Sequence, residues 1–158
     1  DEHKLRGMLF WLMGDLGQSA QWWPAFAALV VALVLAMPFA RELNLLSRGL
    51  MQAQALGVAV GRLRYAIYLL ASLATAASVT TAGSIGFVGL IVPHLVRLAT
   101  GNDQRLLLPA SVLAGGSLLV LADTLARTLI APQQLPVGVL TALIGVPVFL
   151  FLLSRQPK

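Results

Sequence analysis

Long uncharged, apolar runs are the main feature of this chain. Residues 22–40 form the first run, which opens with two tryptophans and is followed by Arg41. Residues 106–122, bounded by Asp123 and Arg127, and residues 137–153 form two more. A helix needs roughly 20 apolar residues to cross the hydrocarbon core of a bilayer, and tryptophan favours the membrane interface. The pattern therefore predicts a transmembrane helix at each of these three places.

A fourth apolar run, residues 65–96, is too long for one span and is interrupted by glycines. The interruption predicts a full helix over residues 65–82, a tight turn over residues 83–86 and a shorter helix over residues 87–98. Lipid cannot satisfy the free backbone groups at the ends of a short helix inside a membrane. We therefore expect the shorter helix to pack against protein or to line a cavity.

The composition is typical of a membrane protein and argues against most soluble classes. Of the 158 residues, 58% are hydrophobic and 11% are charged, whereas soluble domains are about half apolar and about a quarter charged. The chain has no cysteine, which rules out a disulfide framework and a thiolate metal site. The predicted fold class is all-α: a polytopic transmembrane helical bundle of about four full spans plus one short helix, forming a single region over residues 1–158.

The net charge of +5 indicates an orientation in the membrane, because Lys and Arg concentrate in cytoplasmic loops. If residues 41–64 are cytoplasmic, alternation of the spans leaves Lys4, Arg6 and Arg127 outside. The other eight of the eleven bases then lie inside: Arg41, Arg48, Arg62, Arg64, Arg97, Arg105, Arg155 and Lys158. Because the bases are spread among the ends of the spans, they predict no nucleic-acid surface.

Residues 43–64 form a long loop that is amphipathic rather than merely polar. Its apolar positions recur at steps of three and four residues, as they do on one face of a helix. These positions are Leu45, Leu46, Leu50, Ala53, Leu56 and Val60. The pattern predicts two short helices at the cytoplasmic surface. Two interpretations stay open: a docking surface for a cytoplasmic partner, and interfacial helices that only pack on the bundle.

Signatures of catalysis are sparse. The sequence contains neither the phosphate-binding motif GxxxxGK[ST] nor the zinc motif HExxH. The two histidines, His3 and His94, are far apart, and we interpret His94 as a hydrogen-bonding residue near a helix end rather than a metal ligand. No metal site is predicted. An intramembrane enzyme stays an alternative, in which hydroxyl side chains of the helix over residues 65–82 would need His94 as their base.

Three segments carry a resemblance to a known family. They are the loop just described, the stretch GSIGFVGLIVPHLVRLATGNDQRLLLPASVLAGG and the stretch LADTLARTLIAPQQLPVGVLTALIGVPVFLFLL. In this order and spacing they resemble the permease subunits of ABC importers for iron–siderophore, haem and cobalamin, the FecCD/BtuC type. The resemblance covers about residues 10–155 and corresponds to the C-terminal half of such a permease.

The resemblance implies that residues 43–64 are a cytoplasmic coupling loop, whose helices seat in a cleft of the ATPase subunit. The implied ATPase-coupling residues are Ser47, Gly49, Gln52, Ala53, Leu56 and Gly57. One departure concerns charge. The family usually has acidic residues after the first glycine, where this chain has Leu50 and Met51, and a base is common where Gln54 stands. The chain therefore lacks the acids for a salt bridge to the ATPase at this place.

The resemblance implies two further sites. Arg127 would dock the substrate-binding protein, whose lobes present acidic residues. The alternative is an interfacial arginine that pairs with Asp123 four positions earlier. The glycine-rich turn and the short helix would lie near the translocation pathway, with simple helix packing as the alternative. The implied pathway residues are Gly83, Gly86, Gly89, Pro93 and His94.

Taken whole, the resemblance implies the transmembrane permease part of an ATP-driven importer of iron–siderophore, haem or cobalamin, in a bacterial inner membrane and working by alternating access. It implies no enzyme activity in this chain, because ATP would be bound by separate ATPase subunits, and no cofactor or metal on the chain itself. The expected partners are the ATPase subunits, a substrate-binding protein, a second permease copy and membrane lipid. The alternatives are a non-transporting truncated fragment and the intramembrane enzyme.

Overall fold

The computed structural model describes residues 2–17, 21–128 and 135–154, and within these ranges the chain folds into α-helices joined by turns. The helices are α1 (Glu2–Leu12), α2 (Trp23–Ala36), α3 (Ala40–Leu46), α4 (Leu50–Ala55), α5 (Val60–Ala82), α6 (Val88–Thr100), α7 (Gln104–Thr128) and α8 (Val137–Ser154). A short 3₁₀ turn, Met37–Phe39, joins α2 to α3. The predicted all-α class is confirmed.

Four of these helical stretches are long and apolar enough to cross a membrane: Trp23–Leu46, Val60–Ala82, Gln104–Thr128 and Val137–Ser154. Helix α6 has 13 residues, which at 1.5 Å per residue is about 20 Å and short of the ~30 Å hydrocarbon core. The prediction of four spans plus one short helix is therefore confirmed. The turn predicted near residues 131–136 lies mostly outside the described residues, as do Arg155 and Lys158.

Several predicted helix ends were wrong by a few residues. The first span continues to Leu46, because the 3₁₀ turn accommodates Pro38 without ending the helical stretch. The second begins at Val60, five residues before the predicted start. The third continues to Thr128, so Asp123 and Arg127 lie inside its last turns. A charge marks where a helix leaves the hydrocarbon, but the helix itself can continue into water, since its side chains pair along the helix surface.

Two buried clusters lie at opposite ends of the long helices. Cluster 1 holds Ala53, Val58, Val60 and Leu63 and joins α3, α4 and the start of α5. Cluster 2 joins the end of α7 to the start of α8 and consists of Ala122, Ala126, Val137 and Leu140. In the orientation predicted from the charges, cluster 1 lies at the cytoplasmic end and cluster 2 at the outer end. Between them, most large apolar side chains face outward, as expected of surfaces that meet lipid or other helices.

We predict that Leu63→Ala destabilises the chain by about 2–5 kcal/mol, the range for a leucine deleted from a packed interior. Leu63 is only 2% exposed, whereas Leu73 on the same helix is 65% exposed. The matched variant Leu73→Ala is expected to change stability by less than about 0.5 kcal/mol, as is usual for exposed positions. Thermal unfolding in detergent, followed by circular dichroism, measures both. Equal losses of stability in the two variants would contradict the assignment of cluster 1 as the packed interior at the predicted cytoplasmic end.

Candidate functional site

The connecting segment, residues 47–59, links α3 to α5 and contains α4. Two glycines with left-handed backbone bound this helix: Gly49 has φ +134° and Gly57 has φ +82°. At the C-terminal end the N–H of Val58 donates to the carbonyl of Ala53 (3.0 Å) and the N–H of Gly57 donates to that of Gln54 (2.9 Å). This pair of bonds is the Schellman motif, which ends a helix and reverses the chain. The two glycines therefore set both ends of α4 and hold it as a short helix between two spans.

One face of the connecting segment is buried, and the other face presents apolar side chains outward. Ala53 is fully buried in cluster 1, while Met51 is 84% and Leu56 is 66% exposed. Leu50, Gln52 and Gln54 are exposed as well. Exposed apolar side chains grouped on one turn typically mark a contact surface for another protein. The sequence singled out Met51 only because it stands where the family usually has an acidic residue. It is the most exposed large apolar side chain among the described residues.

The implied coupling residues fall into two groups. Gln52, Leu56, Gly57 and Ser47 are exposed, and the hydroxyl of Ser47 donates to the carbonyl of Asn44 at 2.8 Å. Gly49 is half-buried, and Ala53 has no exposed surface. Ala53 can therefore act on a partner only through the packing of α4, because its side chain does not reach the surface.

A polar joint connects this end to α7. The side-chain amide of Asn44, on α3, donates to Oδ1 of Asp103 at 2.7 Å and accepts from the backbone N–H of Gln104 at 2.8 Å. Oδ1 of Asp103 also accepts from the backbone N–H of Arg105 at 3.0 Å. The hydrogen bonds from Asn44 and from the Arg105 backbone hold the pKa of the Asp103 carboxyl below its usual range.

Sequence reasoning missed this joint. Asp103 directly before a helix is an N-cap signal that the sequence does show. Its pairing with Asn44, which lies 59 positions earlier, cannot be read from local pattern, because it depends on how α3 packs on α7. The contact brings the polar end of the first span to the start of the third.

The glycine-rich turn after α5 is packed under the N-terminal segment. Gly83 has φ +71° and ψ −163° and is buried, and a side chain there would collide with the carbonyl oxygen of Trp11. The N–H of Asp15 donates to the carbonyl of Ala82 at 3.0 Å. On the other side, a side chain at Gly138 would collide with the carbonyl oxygen of Met13. Residues 11–15 therefore form a strap that lies between the end of α5 and the start of α8.

The five implied pathway residues do not form one surface. Gly83 serves the packing just described, whereas Gly86 and Gly89 are exposed, with open space beside them. Pro93 and His94 are half-buried within α6. Of the five, Gly86 lines a groove of about 690 Å³. The groove is otherwise mainly apolar and is lined by Met13, Ser84, Phe87, Gly138, Val139, Ala142, Leu143, Val146 and Pro147.

Phe87 is a residue of this region that sequence reasoning did not single out. Its φ of +66° is left-handed, the one such value outside glycine among the described residues. Its side chain packs so closely on Gly145 of α8 that any side chain at Gly145 would overlap the Phe87 ring. Left-handed backbone at a bulky residue is uncommon and is held only by the surrounding structure. Phe87 therefore locks the start of α6 to the middle of α8.

Arg127 lies at the other end of α7 and is partly exposed. Its Nε donates to Oδ2 of Asp123 at 2.8 Å, and its side chain keeps 41% of its surface in solvent. The guanidinium also lies beside Gly17, whose N–H donates to Oδ1 of Asp15 at 2.8 Å. The pairing with Asp123 that the sequence allowed is therefore present. The two other guanidinium nitrogens lie beside Gly17, and 41% of the side chain stays exposed, so the ion pair leaves part of Arg127 open to a partner.

Comparison with solved structures establishes the class of protein. The fold matches a metal-chelate type ABC transporter in an inward-facing conformation with a TM-score of 0.87 and 37% identity, covering 98% of this chain and 51% of that one. Four spans, the short helix α6 and the exposed connecting segment at one end thus make up the fold of an ABC-transporter permease. The chain is a multi-pass protein of the cytoplasmic membrane.

Comparison with known sequences establishes the family. The chain is 47% identical to a hemin transport system permease of Yersinia pestis, over 99% of this chain and 47% of that protein. It is 49% identical to a cobalamin import system permease of Halobacterium salinarum (97% and 42%) and 42% identical to an Fe(3+) dicitrate permease of Escherichia coli (95% and 46%). Residues 1–155 match the FecCD transport family, to which the chain belongs. The chain spans about half the length of these relatives.

We predict that Gly83→Ala and Gly86→Ala differ sharply in their effect on thermal stability. The Gly83 backbone lies in a region that is essentially restricted to glycine, which costs other residues about 1–3 kcal/mol, and the added methyl group also collides with the strap. Gly86 has open space and no left-handed backbone. Thermal unfolding in detergent should show a large loss for Gly83→Ala and almost none for Gly86→Ala. A Gly83→Ala variant as stable as the parent would refute the packing of the strap on this turn.

Proposed function

We propose that these residues are part of the permease of an ATP-driven importer of iron–siderophore, haem or cobalamin. Membership of the FecCD transport family carries this proposal. The relatives named above are permeases for hemin, cobalamin and ferric dicitrate. All three of these substrates are bulky organic or chelated molecules. The mainly apolar groove beside Phe87 suits the passage of such an intact complex. Because the chain spans about half of its relatives, the proposal concerns the complete permease that contains these residues.

The connecting segment is the proposed site of ATPase docking. It presents Met51, Leu56 and Leu50 outward on a short helix whose other face is anchored in cluster 1. ATP would be bound and hydrolysed by the ATPase, so this chain would hold no cofactor and catalyse no reaction. Where the family usually has acids, the apolar pair Leu50 and Met51 would insert into the ATPase cleft. Burial of apolar surface would then replace a salt bridge as the main source of affinity.

The transport cycle would use the two ends of the bundle in turn. Two permease copies would enclose a central path, and closure of the ATPase subunits on ATP would move the connecting segments. A substrate-binding protein would deliver the chelate from outside and dock near Arg127, the base at the outer end of α7. Alternating access would follow if the two ends cannot open together. Arg127 has a built-in partner in Asp123, so docking would share or exchange that ion pair.

We predict that a cysteine at position 52 cross-links to the ATPase. These 158 residues contain no cysteine, so Gln52→Cys introduces a single thiol among them, on the exposed face of α4. The neighbouring variant Ala53→Cys is the matched control, because Ala53 has no exposed surface and its thiol should stay unreactive. A short bifunctional reagent, applied to the assembled permease and ATPase, tests both. Equal labelling at the two positions, or none at position 52 in a folded complex, would contradict docking at α4.

We predict that Arg127→Glu weakens association of the binding protein by about tenfold, which corresponds to ~1.4 kcal/mol, and reduces its dependence on salt. The control is Asp123→Asn, which removes the ion pair but keeps the positive charge. If Arg127 docks the binding protein, this control keeps or improves association. Surface plasmon resonance at several salt concentrations measures both. Should the two variants weaken association equally, Arg127 would act only by pairing with Asp123.

A further inference from the structure

We propose that Asn44 is a positioning residue that passes displacements of the connecting segment to α7. The inference rests on the proposed function, in which the ATPase moves this segment. It assigns a role to a side chain that contacts neither the docking surface nor the groove. The observations that carry it are the hydrogen bonds between α3 and the start of α7 and the packing on either side of them.

The Asn44 amide has one orientation that satisfies both of its partners. A carboxylate can only accept, so the NH₂ group must face Asp103, and a backbone N–H can only donate, so the carbonyl oxygen must face Gln104. The two bonds, of 2.7 and 2.8 Å, use both ends of the amide. A bond to a carboxylate is also shorter and stronger than one between neutral groups. Separation of the two helices would lengthen both bonds at once, so the joint resists their moving apart.

On one side of the joint, Asn44 moves with the connecting segment. The Ser47 hydroxyl donates to the Asn44 carbonyl, and Leu43 and Leu45, its neighbours on α3, pack against the buried cluster that contains Ala53 of α4. Helix α4 cannot shift relative to α3 without breaking this packing. A push on the exposed face of α4 therefore reaches Asn44.

On the other side, the joint acts on the end of a helix that crosses the membrane. Asp103 caps α7 by accepting from the N–H of Arg105, and Asn44 accepts from the N–H of Gln104, so two otherwise unpaired N–H groups of the first turn are held. Helix α7 has 25 residues, which span about 38 Å at 1.5 Å per residue. Its last turn carries Arg127. The joint thus connects the ATPase side to the helix that ends at the proposed binding-protein site.

The test changes each side chain of the joint in turn. Asn44→Asp places a second carboxylate against Asp103, so the joint should open by repulsion. Asp103→Asn is the conservative variant, because its Oδ1 can still accept from the Asn44 amide and from the N–H of Arg105, and Asn and Asp are equally good caps. Asn102→Asp is the control, since it adds the same charge in the same turn, where Asn102 is exposed.

The complete importer in proteoliposomes gives the readout, with hemin, cobalamin and ferric dicitrate each tried as the imported probe. For Asn44→Asp we expect import per ATP hydrolysed to fall about tenfold, within the usual range of coupling between sites, while ATP hydrolysis continues. Asp103→Asn and Asn102→Asp should leave the ratio unchanged. Import and hydrolysis falling in proportion in Asn44→Asp, or a ratio that falls as far in Asp103→Asn, would overturn the proposal and leave the joint with a merely structural role.

A second measurement does not depend on transport. Spin labels on cysteines introduced at Ala55 and Asn102, both exposed, report the distance between α4 and the start of α7 in the permease–ATPase complex. In the parent, this distance should be the same with and without ATP. In Asn44→Asp, it should change when ATP is added. A distance that changes with ATP in the parent would refute the joint. If the parent imports none of the three probes yet keeps this distance fixed, the proposed substrates fail and the joint stands.

Discussion

The hydrocarbon core of a membrane offers no hydrogen-bond partner to a polypeptide, so every backbone group at that depth must be satisfied by protein. The long helices meet this demand within themselves. The break between α5 and α6 cannot, because five residues, 83–87, separate the two helices. The strap meets the demand there: the Asp15 N–H satisfies the Ala82 carbonyl at the end of α5. Gly83 and Gly138 let the strap approach closely enough to do so.

The two ends of the bundle are built differently. At the predicted cytoplasmic end, a glycine-bounded helix is anchored on one face and exposes Met51 and Leu56 on the other. At the predicted outer end, backbone lies on backbone, and Arg127 is paired with Asp123. One end is thus prepared for a large apolar contact and the other is closed by packing. This asymmetry agrees with a transporter in which energy is supplied from one side and substrate from the other.

Much of the fold was predictable from the lengths of the apolar runs. The four spans, the short helix after the glycine turn and one short helix within residues 43–64 follow from run length and periodicity. The second short helix predicted in that loop is instead the end of the first span, α3. The helix ends were less predictable, because Arg41 and Arg127 mark the edge of the hydrocarbon rather than the end of a helix. The family resemblance is confirmed, while the roles of the coupling and pathway residues stay predictions. The strap and the joint at Asn44 were beyond reach, because each depends on contacts between segments that are far apart in sequence.

The strap also has a consequence for the order in which the protein is made. Trp11 and Met13 leave the ribosome before Gly138, a close neighbour in the folded chain that follows about 125 residues later. The strap therefore cannot reach its final position until α8 has entered the bilayer. Until then it can be held only from the α5 side, through Ala82 and Gly83. Insertion of α8 is thus the step that completes this part of the bundle, and a chain that stalls before α8 leaves the strap without its contact at Gly138.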